Sequence, residues 1–163
     1  MKRMLIAALA ATLPAVALAQ SSIQITDAYA RSANPKSGAA FMTIVNAGSS
    51  DCTLSSVSGN AAEMIELHTN EQGSDGVVKM TKLKDGITIP AGAEHKLMRG
   101  GDHIMMMGLN APLETGQDIA MSLNFGECGA VDLVIPVDND RKPDASDAMP
   151  MQHGAHGEMK APN

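Results

Sequence analysis

Four side chains in this sequence have the types and spacing to do metal chemistry: His68, Met80, His103 and Met105. The last two form the triplet His103-Ile104-Met105. A denser group follows near the C-terminus: Met149, Met151, His153, His156 and Met159. Imidazole and thioether without thiolate is a donor set that suits copper, Cu(I) above all, because a soft sulfur ligand selects a soft ion. Zinc would favour Cys, His or carboxylate, and calcium or magnesium would favour oxygen.

Strand periodicity must position these donors. In a strand, residues i and i+2 share a face. His103 and Met105 therefore project together, followed by Met107, while Ile104 and Met106 turn toward the core. His68 shares its face with Met64 and Glu66, opposite Ile65 and Leu67. Three strands bearing His68, Met80 and the triplet can converge at one end of a sandwich. Met80 taken alone reads first as core volume, since Met fills irregular gaps. Met64, Met98, Met106 and Met121 are assigned to the core or its margin, and His95 to the surface between Glu94 and Lys96.

Strands are expected at 23–31, 39–46, 54–57, 62–68, 77–83, 94–98, 103–108, 118–125 and 130–137. Turn signals separate them, among them Asn34-Pro35-Lys36-Ser37-Gly38, Pro90-Ala91-Gly92 and Gly100-Gly101. Short strands punctuated in this way indicate an all-β sandwich or barrel. From Asp138 onward the chain lacks Val, Ile, Leu and aromatic residues and carries Pro143, Pro150 and Pro162. Such a segment buries too little apolar surface to offset its ordering entropy, and 138–163 is read as a disordered tail. Its methionines have no packing use there, which favours metal capture over a neutral linker or processing remnant, with Cu(II) at His153 and His156 as a further prospect.

Residues 1–19 read as a secretory signal. Lys2 and Arg3 precede an apolar run, and Ala17-Leu18-Ala19 is a small-x-small cleavage site. No Cys follows that site, so a lipid anchor is not expected, and no later run approaches the ~20 apolar residues of a spanning helix. The expected address is the periplasm. Of the 163 residues, 144 remain after cleavage, enough for one domain at 20–137 and its tail. The full chain has a net charge of −6, and loss of Lys2 and Arg3 takes it to −8. That balance argues against nucleic acid and anionic membrane surfaces, which call for a basic face.

Cys52 and Cys128 are the only cysteines. In an exported chain a structural disulfide is favoured, with two buried thiols as the alternative. Their wide spacing disfavours a thiol–disulfide oxidoreductase. Blue-copper electron transfer requires a Cys at a two-His site, and Cys128 has no His after it until His153. The mature start Gln20-Ser21 does not suit an N-terminal histidine brace. No Ser-His-Asp arrangement, carboxylate pair or phosphate loop points to an enzyme. A carrier site remains.

The chain resembles the periplasmic copper chaperones of the PCuAC type. The resemblance runs from about Ile25 to Val137. It is carried by Ala28-Tyr29-Ala30-Arg31, Gly38-Ala39-Ala40-Phe41-Met42-Thr43-Ile44, Glu66-Leu67-His68, Val78-Lys79-Met80, Ile89-Pro90-Ala91-Gly92 and the stretch from Gly100 to Leu109 around His103 and Met105. The resemblance implies a cupredoxin-like Greek-key β-sandwich or barrel and one Cu(I) held by His68, Met80, His103 and Met105. It also implies delivery to the CuA centre of cytochrome c oxidase, alongside Sco-type copper proteins. The sequence departs from the family at Thr69, where a Met often follows the first His. Copper buffering or resistance without a dedicated acceptor is the alternative function.

Overall fold

The computed structural model describes residues 22–73 and 76–143. The signal segment and the five tail residues Met149, Met151, His153, His156 and Met159 lie outside the described residues.

The described residues form strands β1 (Ile23–Asn34), β2 (Ser37–Asn46), β3 (Cys52–Leu54), β4 (Ser56–Gly59), β5 (Ala62–Gln72) and β6 (Val78–Lys82). There follow β7 (Ile87–Ile89), β8 (Glu94–Leu97), β9 (His103–Leu109), β10 (Asp118–Asn124) and β11 (Ala130–Pro136). A single 3-10 turn spans Gly126–Cys128. The main sheet runs β1-β2-β9-β5-β6 with β8 also on β2, and smaller sheets are formed by β11-β10-β4 and by β3-β7. Every strand ladder is antiparallel. This is the all-β architecture that the turn spacing predicts.

Alternation decides which face is buried. Ala40, Met42, Leu67, Ile104 and Met106 face inward from the main sheet. They share one apolar core with Val57, Ile119, Met121, Leu123 and Ile135 of the three-stranded sheet. Asn46 is fully buried, and its side chain is satisfied by the Ser50 and Ile89 carbonyls and the Gly48 N–H, as a buried amide requires.

Two features of the connectivity were not expected. The run read as a single strand at 54–57 is two, in different sheets. The chain changes sheets at Ser55, whose N–H donates to the Asn124 carbonyl at 2.9 Å. The short β7 was missed, being three residues between Gly86 and Pro90. Cys52 and Cys128 form a disulfide with Cα atoms 5.8 Å apart. It ties β3 to the 3-10 turn between β10 and β11.

The composition boundary at 138 does not coincide with the end of the packed structure. The Asp138 N–H donates to the Ala30 carbonyl at 2.8 Å. Asn139 accepts from the Ser32 N–H at 2.7 Å and donates to the Leu113 carbonyl at 3.0 Å. The Arg141 guanidinium lies 4.2 Å from the Tyr29 ring centroid and pairs with Asp27. Residues 138–141 are held by polar bonds rather than apolar burial, so composition is blind to them.

Candidate metal centre

The site face is the outer face of the main sheet. β9 lies between β2 and β5, and its register brings the donors into rows. His68 stands directly opposite His103 and, on its other side, opposite Lys82. Met105 lies between Ala39 and Glu66. Asn70 faces Met80. By alternation His68, Met80, His103 and Met105 all emerge on this one face.

Three of the four line one shallow pocket of about 210 Å³: Met80, His103 and Met105, with Phe41, Asn70 and Arg99. His68 is not among the lining residues; its ring centroid is 6.1 Å from that of His103. Met80 is half exposed on edge strand β6, every residue of which is exposed. The core reading of Met80 is therefore set aside. Met64, assigned to the core or its margin, is likewise half exposed, opposite Met107 on the site face. It shares its strand face with His68, and that parity outweighs its apolar character. Met106 and Met121 are buried as expected.

The two imidazoles are held in defined tautomers. Nδ1 of His103 lies 2.9 Å from the Gly101 carbonyl. A carbonyl only accepts, so Nδ1 carries the proton and Nε2 presents a lone pair. Nε2 of His68 lies 3.2 Å from Glu66 Oε2, so that nitrogen donates to the carboxylate. Its Nδ1 is buried and has no partner among the described residues. Each ring thus has one nitrogen committed to an oxygen and one lone pair left over, the arrangement by which proteins orient metal-binding histidines. Among the described residues no group of three or more His, Cys, Asp and Glu is gathered for a metal, so a metal on this face would draw on thioether sulfur.

Glu66 is fixed in turn. Lys82 bonds its other oxygen, and Lys82 first and His68 second hold its carboxyl below the usual range. The pairing is present at neutral pH and is lost only as pH falls through that lowered value.

Aromatic residues buttress the buried His103 ring. Its centroid is 6.3 Å from that of Phe41, which is 5.2 Å from Tyr29. The turn between β8 and β9, closed by the Met98 N–H on the Asp102 carbonyl at 2.8 Å, places Arg99 over both rings, 5.8 Å from Tyr29 and 6.0 Å from Phe41. Sequence reasoning missed Arg99 and the orienting role of Glu66. The Glu66-x-His68 parity was a usable signal; a turn arginine gives none. His95 is only partly exposed, with Nε2 2.9 Å from Asp102 Oδ2.

Comparison with known proteins bears on the family and the fold. The family described as "Putative lipoprotein LpqE-like" matches residues 23–137. A relative from Leifsonia xyli subsp. xyli (strain CTCB07), "Putative lipoprotein Lxx21020", is 36% identical over 115 residues, 71% of this chain and 69% of that protein. Among solved structures, the copper-bound PCuAC domain from PmoF2 superposes with a TM-score of 0.59 at 18% identity, covering 72% of this chain and 93% of the other. That likeness is one of fold. Apo-DR1885 from Deinococcus radiodurans gives 0.56 at 27% identity, covering 86% and 97%. Its CuI form gives 0.54 at 28%, covering 71% and 79%. With the whole sandwich from β1 to β11 inside the matched region, the chain belongs to the LpqE-like family, which is PCuAC-related.

Proposed function

We propose that this protein is a periplasmic Cu(I) chaperone, with no reaction of its own, that holds copper through His68, Met80, His103 and Met105 and delivers it for assembly of the CuA centre of cytochrome c oxidase. The observation that carries the reading is the pair of histidines on neighbouring strands, each with one ring nitrogen committed to an oxygen, on the sheet face that also carries Met80 and Met105. The copper forms of the PmoF2 domain and of DR1885 support it. Export is supported by the disulfide, which suits an oxidising compartment, and by the relatives' names as lipoproteins. In this reading copper is cargo. The chain supplies soft donors that hold Cu(I) and a half-exposed pocket through which it can leave. The tail residues Met149, Met151, His153, His156 and Met159 form a second capture site that also takes Cu(II).

The deciding experiment is transfer. Protein loaded with one Cu(I) is mixed with an apo CuA domain, with a Sco-type protein present or absent, and the acceptor's absorption is followed. Growth of the CuA spectrum at stoichiometric copper supports delivery. Copper retained by the donor while cells lacking the protein are merely copper-sensitive would support the buffering alternative.

Glu66→Gln tests the orienting bond. Loss of an outer partner of a metal-binding histidine lowers affinity by roughly 10–100-fold. We expect a fall in that range in competition with a Cu(I) chelator, with the fold retained by circular dichroism. Unchanged affinity would show that Glu66 does not prepare His68 for metal.

A further inference from the structure

The four donors on the site face bring no negative charge to a metal, because a ligating imidazole is neutral and a thioether carries no charge. Fixed charges around the pocket of Met80, His103 and Met105 therefore act on an ion that its own ligands do not neutralise. The carboxylates of this face are engaged elsewhere. Glu66 is bonded by Lys82 and His68, and Asp27 is paired with Arg141. Asp102, next to His103, turns to His95 of β8 at 2.9 Å and does not line the pocket.

Arg99 does line it. Its guanidinium donates through Nε to Tyr29 Oη at 3.3 Å and through Nη2 to the Arg141 carbonyl. Both acceptors are neutral oxygens, and among the described residues no carboxylate pairs with Arg99. The charge is thus held in place without being cancelled, and an arginine keeps its proton in a protein. Its guanidinium carbon is 6.0 Å from the Phe41 ring centroid, which is 6.3 Å from that of His103, so the cation stands within about 12 Å of the His103 ring. Arg31 lines the adjoining hollow with Arg99 and adds charge of the same sign.

We propose that Arg99 sets the charge selectivity of this pocket, reserving it for Cu(I) against Cu(II). The proposal rests on the copper reading of the four donors. A fixed cation repels a doubly charged ion twice as strongly as a singly charged one. At ~12 Å and an effective dielectric constant of about 20, each unit of ion charge lowers affinity on the order of tenfold. Cu(I) loses one such factor and Cu(II) loses two. The preference for Cu(I) rises by the difference, and tenfold corresponds to ~59 mV in a one-electron potential. Soft sulfur already favours Cu(I); the guanidinium adds a second discrimination that depends on charge and not on softness.

The test uses the full chain labelled with ¹³C at the methionine methyls. Occupancy is read at Met80 and Met105, so copper bound elsewhere does not count. Cu(I) is titrated without oxygen against a Cu(I) chelator, and Cu(II) against glycine, with paramagnetic broadening of the same methyls as its signal. Arg99→Gln removes the charge and keeps an N–H donor for Tyr29 or the Arg141 carbonyl. We expect it to bind Cu(I) roughly tenfold and Cu(II) roughly 100-fold more tightly than the parent. Added salt should shrink both differences. Arg99→Lys keeps the charge and should stay within about threefold of the parent for both ions. Loss of a mere prop for Phe41 would have the opposite sign, weakening Cu(I) binding. The proposal is overturned if Arg99→Gln weakens Cu(I) binding or leaves the ratio of the two affinities unchanged, or if Arg99→Lys behaves like Arg99→Gln. Methyls in the parent that respond to neither ion would overturn the copper reading itself, and this proposal with it.

Discussion

Replacing His103 and Met105 together by alanine is expected to abolish the tight Cu(I) binding proposed for the domain. Loss of a residue that only orients a ligand costs roughly 10–100-fold in affinity. Removing two donors at the centre of the pocket should therefore exceed about 100-fold in a competition titration. His103 is buried against Phe41, so the variant also leaves a cavity, and a destabilised fold would mimic a lost site. Met80→Leu with Met105→Leu separates the two effects. That exchange nearly conserves volume and usually costs less than about 1.5 kcal/mol per site, while it deletes both sulfurs. We expect the leucine variant to melt close to the parent and still to lose tight binding. Normal Cu(I) affinity in either variant would mean that copper is held elsewhere.

The second large effect concerns stability. Cys52 and Cys128 are joined across a separation of 76 residues. Releasing a loop of that length restores chain entropy to the unfolded state worth about 4–5 kcal/mol. Small domains have only about 5–15 kcal/mol in total. The double variant Cys52→Ala, Cys128→Ala should therefore melt on the order of 15–25 °C lower. The bond lies in the layer behind the main sheet, on β3 and the 3-10 turn, and touches none of the four candidate donors. Cu(I) affinity measured well below the melting point should be unchanged. A shift of only a few degrees would show that the unfolded chain is already constrained in the parent, and altered copper affinity would show that the two layers are coupled.

Period-two alternation made much of the candidate site legible before any coordinates. It placed His103 and Met105 on one face and buried Ile104 and Met106. The same rule, applied consistently, would have moved Met64 out of the core, because it shares parity with His68. What stayed illegible was non-local. Nothing local in 54–57 announces a change of sheet, because the residue that receives the Ser55 N–H is Asn124, far along the chain. Asn139 and Arg141 hold their segment by partners contributed from Asp27 to Leu113, which no composition rule can weigh. The tautomer of His103 was equally out of reach, because it depends on the carbonyl of Gly101 in the turn before β9.

The placement of Met80 separates how tightly a metal would be held from how fast it could be released. His103 and Met105 stand on β9, bonded to neighbours on both sides. Of the four, Met80 alone stands on the sheet's edge, on a strand whose residues are all exposed and which, among the described residues, pairs only with β5. Edge strands open locally at far less cost than central ones. One sulfur can thus be withdrawn by the fraying of a single ladder while the rest of the face stays rigid. An acceptor's donor can enter the vacated position before the remaining bonds break. For a metal held by these four donors, release would then begin at the edge and go on by stepwise ligand exchange.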